Sequence, residues 1–151
     1  MIFSLLLGIL TGLRTLTPLA AISWAAYLGR LPVHGTWLSF LGAMITPYVM
    51  TALALAELVT DKLPGTPSRK VPMQFGARIL MGALCGAAIA TPGGGLLPGL
   101  CLGAVGAVIG TFAGAAVRAR LAQAFGKDLP AALLEDAIAI GGAILIISRL
   151  A

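Results

Sequence analysis

The sequence predicts an all-α fold: a polytopic membrane helix bundle of about five transmembrane helices, in a single domain over residues 1–151. Three observations carry that reading. Apolar residues make up 59% of the 151 positions, above the roughly 45–50% usual in soluble domains. Charged residues make up only 10%, where a soluble surface carries about a quarter. The apolar residues also fall in runs long enough to cross a bilayer, and mean hydropathy is +1.02. A soluble enzyme, a disordered tail and a disulfide-stapled secreted domain are excluded.

Gly, Pro and charge punctuate the apolar runs and set the expected spans. The first covers about 2–29 and is closed by Arg30, Leu31 and Pro32. Its opening residues lack a positive stretch and its apolar run outlasts any cleavage site, so it reads as a retained span rather than a signal peptide. The second covers about 37–60 and ends at Asp61-Lys62-Leu63-Pro64. A polar loop through Arg69 and Lys70 leads to the third span, about 72–91. The fourth is about 96–117, closed by Arg118 and Arg120, and the fifth about 130–148, with Asp128 as its expected N-cap. Thr17-Pro18 and Thr46-Pro47 are expected to interrupt helices one and two, because each proline removes a backbone donor at depth.

Charge sets the expected orientation. With the N-terminus inside and the C-terminus outside, Lys62, Arg69, Lys70, Arg118, Arg120 and Lys127 fall on the cytoplasmic side, against Arg30 and Arg149 outside. The excess of basic residues, net charge +5, forms no stripe with interleaved aromatics, so no nucleic-acid partner is expected. The bilayer is the expected partner. Small residues at four-residue spacing (Ser4, Gly8, Gly12; Gly82, Gly86; Gly106, Gly110, Gly114) provide faces for close helix packing, either within the chain or as the seam of a homo-oligomer. A faint internal likeness, Gly12-Leu13-Arg14 against Gly76-Ala77-Arg78, hints at a duplicated unit, though coincidence explains it better in so Ala-, Gly- and Leu-rich a chain.

Ionisable residues inside spans are costly and therefore informative. Arg14 falls about 12 residues into the first span, or roughly 18 Å along a helix. Glu57 and Asp61 share a helical face, and Arg78, Glu135 and Asp136 lie at matching depth from the same side. Four acids against two bases suggests more than structural pairing, and a hydrated inward-facing cavity would tolerate such an excess. No catalytic constellation stands out. His34 is the only histidine, Cys85 and Cys101 have no metal or redox spacing, and no cofactor is expected. Whether the carboxylates hold a metal is left open.

The stretch Glu57-x-x-x-Asp61-Lys62-x-Pro64-x-x-Pro67-x-Arg69, with the earlier Gly12-Leu13-Arg14-Thr15-Leu16-Thr17-Pro18, resembles a bacterial family of small integral membrane proteins classed as a domain of unknown function. The resemblance spans most of the chain and implies the bacterial inner membrane. It implies that Arg14, Glu57, Asp61, Lys62, Pro64, Pro67 and Arg69 belong to the family pattern, and it implies no activity. The residues themselves point to a homo-oligomeric transporter or channel for a small ion or polar solute. Its pathway would pass Arg14, Thr17 and Thr46 and open inward past Glu57, Asp61, Arg78, Glu135 and Asp136, with Lys62, Arg69 and Lys70 on the inner loop. The alternative is a membrane-embedded lipid-handling protein or enzyme using the same carboxylate and arginine cluster.

Overall fold

The computed structural model describes residues 1–150 apart from Pro64 and Pro67, and among these residues every regular element is helical. The two prolines of the family-like pattern thus lie outside the described residues. The helices are α1 (Ile2–Leu13), α2 (Leu16–Tyr27), α3 (Thr46–Thr60), α4 (Pro72–Ala90), α5 (Leu96–Phe125) and α6 (Asp128–Ser148). Short 3-10 turns occupy Ser39–Gly42 and Thr91–Gly93. Three helical stretches are long and apolar enough to cross a membrane: Pro72–Gly93, Leu96–Phe125 and Asp128–Ser148. They coincide with the third, fourth and fifth expected spans, although α5 runs on past the expected end at 117. Asp128 is the first residue of α6 rather than its cap, and Lys127 holds the capping position.

The first two expected spans are built differently. The run from 2 to 29 is two helices of 12 residues each, separated at Arg14, whose backbone is extended (φ −135°, ψ 118°). Pro18 explains the position of the break. A proline cannot donate to the carbonyl four residues back, and its ring clashes with it. Here that carbonyl belongs to Arg14, so the helix stops before Pro18 can enter its interior. Pro47 likewise sits in the first turn of α3, so the second expected span contributes an α-helix of only 15 residues. Both Thr-Pro pairs therefore start helices, and the interruption falls at Arg14–Thr15.

The chain reverses at that break. Ser4 of α1 bonds Gly86 of α4, while Gly12 receives Arg78, so α1 and α4 are antiparallel. Gly8 and Gly12 of α1 meet Gly103 and Ala107–Thr111 of α5 in parallel register. On α2, Leu16 meets Glu57 and Trp24 meets Thr51, which makes α2 antiparallel to α3. Leu7 and Leu10 of α1 share one core with Leu19 and Ile22 of α2, Cys85 and Ala88 of α4, and Ala143 and Ile146 of α6. α2 therefore folds back beside α1 as the second arm of a hairpin whose tip is Arg14. Each arm is roughly 18 Å long at 1.5 Å per residue, about half of a bilayer's hydrocarbon thickness.

The bundle has two unlike ends. Met1 lies against Gly95 at the α4–α5 turn. The loop after α3 and the α5–α6 turn lie at the opposite end, where Arg118 pairs with both Asp61 and Asp128. Met1 and the basic loops, expected on one side, therefore lie at opposite ends of the bundle, because the hairpin returns the chain to the end at which it began. The small-residue faces are used within the chain. A side chain at Gly103 would strike the backbone of Gly82, and one at Gly110 the backbone of Ile9. The Thr91–Gly95 stretch is a tight turn, closed by Gly94 in the left-handed region at φ 73°.

Candidate functional site

The tip of the hairpin organises the charges. A helix break leaves carbonyls without partners on one side and amides on the other, and at depth these need specific satisfaction. Arg78 of α4 donates from Nη1 to the Gly12 and Leu13 carbonyls at 2.9 and 3.0 Å, closing the C-terminus of α1. Glu57 of α3 accepts from the Thr15 and Leu16 amides at 2.8 and 2.9 Å, one on each carboxylate oxygen, closing the N-terminus of α2. Each charge has the sign that the helix dipole at that end favours. Glu57 and Arg78 are themselves 4.0 Å apart.

Arg14 itself is fully buried. Its Nη1 is 2.8 Å from Asp61 and its Nη2 is 2.5 Å from Asp136. Both are charge contacts without hydrogen-bond alignment, and Nε has no partner among the described residues. Lys62 pairs with Asp136 at 2.5 Å, and Arg69 grips Glu135 with two bonds of 2.5 and 2.9 Å. Arg118 reaches Asp61, Asp128 and Glu135 at once.

The balance of charge differs from the one expected. All five acids of the chain, Glu57, Asp61, Asp128, Glu135 and Asp136, join this cluster. Five bases face them: Arg14, Lys62, Arg69, Arg78 and Arg118. The apparent excess of acids is therefore absent. Lys62, Arg69 and Arg118, read from the sequence mainly as charges of inner loops, turn inward and neutralise it. The net charge of +5 is left to Arg30, Lys70, Arg120, Lys127 and Arg149.

Of the sequence-predicted site residues, Arg14, Glu57, Asp61, Arg78, Glu135 and Asp136 come together with Lys62 and Arg69. Thr17 is buried in the first turn of α2, with its hydroxyl unpartnered among the described residues. Thr46 is elsewhere: its hydroxyl caps Phe40 at the far end of α3. Lys70 lies outside the cluster, over the Phe112 ring at 5.9 Å. Arg118 and Asp128 were missed as site residues. The available signal was the short Gly126-Lys127 turn, which forces α5 and α6 to run side by side.

At the end that carries the loop after α3 and the α5–α6 turn, outside the long apolar helices, the electrostatics are clear. Burial alone would raise the Asp61 carboxyl, but the hydrogen bond from Arg118 and the charges of Arg14 and Arg118 outweigh it and hold it below its ordinary value. Burial opposes the Arg69 charge, yet the bond and charge of Glu135 outweigh that and keep the guanidinium more firmly protonated. Among the described residues, no three His, Cys, Asp or Glu side chains come together in a group that could hold a metal ion.

A cavity of about 400 Å³ adjoins the tip. α3 packs on α2 and stands off from α4, and the cavity fills the gap. Its charged wall is Glu57, Asp61, Arg69 and Arg78; its apolar wall includes Leu16, Leu53 and Met81. That combination suits a small solute with a polar or charged end. No family pattern, curated protein or solved structure matches this chain.

Proposed function

We propose that this protein is a multi-pass protein of the bacterial inner membrane that moves a small ion or polar solute. The observation that carries the reading is the broken first segment, whose two half-helix ends meet inside the bundle at a charged tip beside a cavity. Half-helices ending at depth bind ions and solutes in transporters, since their free backbone groups and dipoles replace water around a charge. The placement in the inner membrane takes up the likeness of the Glu57–Arg69 stretch to a bacterial membrane family.

In this reading the basic loops are cytoplasmic by the positive-inside bias. The α1–α2 hairpin enters from the opposite side, α3 to α6 cross, and both Met1 and the end of α6 are outside. The solute reaches the tip through the cavity between α3 and α4. Glu57 and Arg78 meet it there, while Arg14 acts as the internal counter-charge of Asp61 and Asp136. Homo-oligomeric association uses the exposed apolar faces, such as Val105, Ile109 and Phe112 on α5, because the small-residue faces are already filled.

Reconstitution in vesicles tests the proposal. Uptake of at least one labelled anion, cation or polar solute above protein-free vesicles is expected, and it should fall when Arg78 is replaced by Lys. No flux across a broad panel would overturn it. The lipid-handling reading has one specific support, the apolar wall beside the charged one, and would be favoured by a lipid that co-purifies and is released by bulky substitution at Leu53.

A further inference from the structure

The geometry at the tip points to a carboxylate-binding site that Glu57 fills from within the protein. We propose that the N-terminus of α2, together with Arg78, takes the head group of a monocarboxylate whose apolar tail lies in the cavity, and that Glu57 is its built-in stand-in. This deepens the transport reading above and rests on it for the role of the cavity.

Three independent features meet at the same point. The Thr15 and Leu16 amides each hold one oxygen of a single carboxylate, so the cradle is spaced for that group. Arg78 is 96% buried and lines the same cavity. Its Nη1 serves the α1 carbonyls, its Nη2 approaches Glu57 only to 4.0 Å, and its Nε has no partner among the described residues. Nη2 of this buried guanidinium, beside the cradled anion, is the donor left over for a bound head group. The cavity then supplies Leu16, Leu53 and Met81 to a short alkyl chain.

Charge bookkeeping gives the same result. The cavity wall carries Glu57 and Asp61 against Arg69 and Arg78. Asp61 is held by Arg14 and Arg118, and Arg69 by Glu135. With the Glu57 carboxylate removed, Arg78 and two amides are left facing the cavity, which selects an anion. The Glu57 side chain is 15% exposed and lines the cavity, so a ligand in the cavity reaches the cradle once the side chain is cut back.

Chemical rescue of Glu57→Ala is the test, on the full chain in detergent. Thermal unfolding is followed with acetate, butyrate, hexanoate and laurate, against chloride at matched ionic strength. The variant is expected to melt below the wild type and to recover with carboxylates. Its half-saturating concentration should lie about tenfold or more below that of the wild type, because the tethered competitor is gone. Affinity should rise about two- to fourfold per added methylene over the short acids. Butyrate and hexanoate outperforming laurate would assign the site to soluble acids, and the reverse order to membrane fatty acids. Arg78→Lys added to Glu57→Ala should weaken the rescue about tenfold, since a point charge replaces a planar donor. If Glu57→Ala does not fold, Glu57→Gln serves, as it keeps one acceptor and loses the charge.

A folded variant whose melting ignores carboxylates, or responds as well to chloride, overturns the inference. Vesicle flux of the wild type for a cation or neutral solute, with no carboxylate rescue, would sink this site and leave the transport reading standing. Rescue without flux of any solute would do the opposite.

Discussion

Arg14 is the residue on which the charge network turns. It has no contact with water, and its two carboxylate partners come from different helices, α6 and the end of α3. Removing one member of a buried ion pair leaves an uncompensated charge, which typically costs about 3–5 kcal/mol. Asp61 keeps Arg118 and Asp136 keeps Lys62, so Arg14→Leu should lose stability near the lower end, about 3 kcal/mol. Adding Asp136→Asn should restore part of it, and a double-mutant cycle in denaturant checks both. Asp61 carries a pH dependence of defined sign. Its carboxyl is depressed in the fold, so its stabilisation is complete above the ordinary carboxylate range and is lost as pH falls through the lowered folded value. Melting temperature against pH should therefore fall more steeply below about pH 4 in the wild type than in Asp61→Asn. Equal slopes would remove Asp61 as the cause.

Among the elements, α5 is the post against which α1 and α4 are set. Lipid offers no hydrophobic drive between helices, so the contact depends on how closely backbones approach. At Gly103 an added methyl would meet Gly82 backbone on α4, which cannot rotate away as a side chain would. Gly103→Ala should cost about 1–3 kcal/mol by overpacking. Gly76, in the interior of α4, faces open space, so Gly76→Ala should be neutral or stabilise by about 0.5–1 kcal/mol through helix propensity. Parallel unfolding of the two variants separates packing from propensity. The α1–α2 hairpin shows the limit of a periodicity argument. Residues 2–29 read as one apolar span that Pro18 is expected to interrupt, but a hydropathy pattern is identical whether a helix kinks or reverses. Direction is decided by partners: α4 and α5 for the first arm, α3 for the second.

For the whole molecule, the hairpin changes the parity of the chain. Met1 lies at the end opposite the α5–α6 turn, so a cysteine at Lys127 and a tag at Met1 should be reached by impermeant reagents from opposite faces of the membrane. Labelling of both from one face would refute that arrangement. The sequence by itself determined the class of molecule: its composition leaves no surface suited to water, and its last three apolar runs became its three longest helices. It also singled out most of the charged cluster, because an ionisable group within an apolar run must be paired or hydrated wherever the run goes. Only the tertiary structure decided which charges pair, that Arg118 and the loop residues Lys62 and Arg69 turn inward, and that Glu57 and Arg78 cap a broken helix. Composition and spacing are local properties of the chain. Pairing across 57 or 66 residues, as between Asp61 and Arg118 or Arg69 and Glu135, is set by how six helices are brought together, and no local pattern records it.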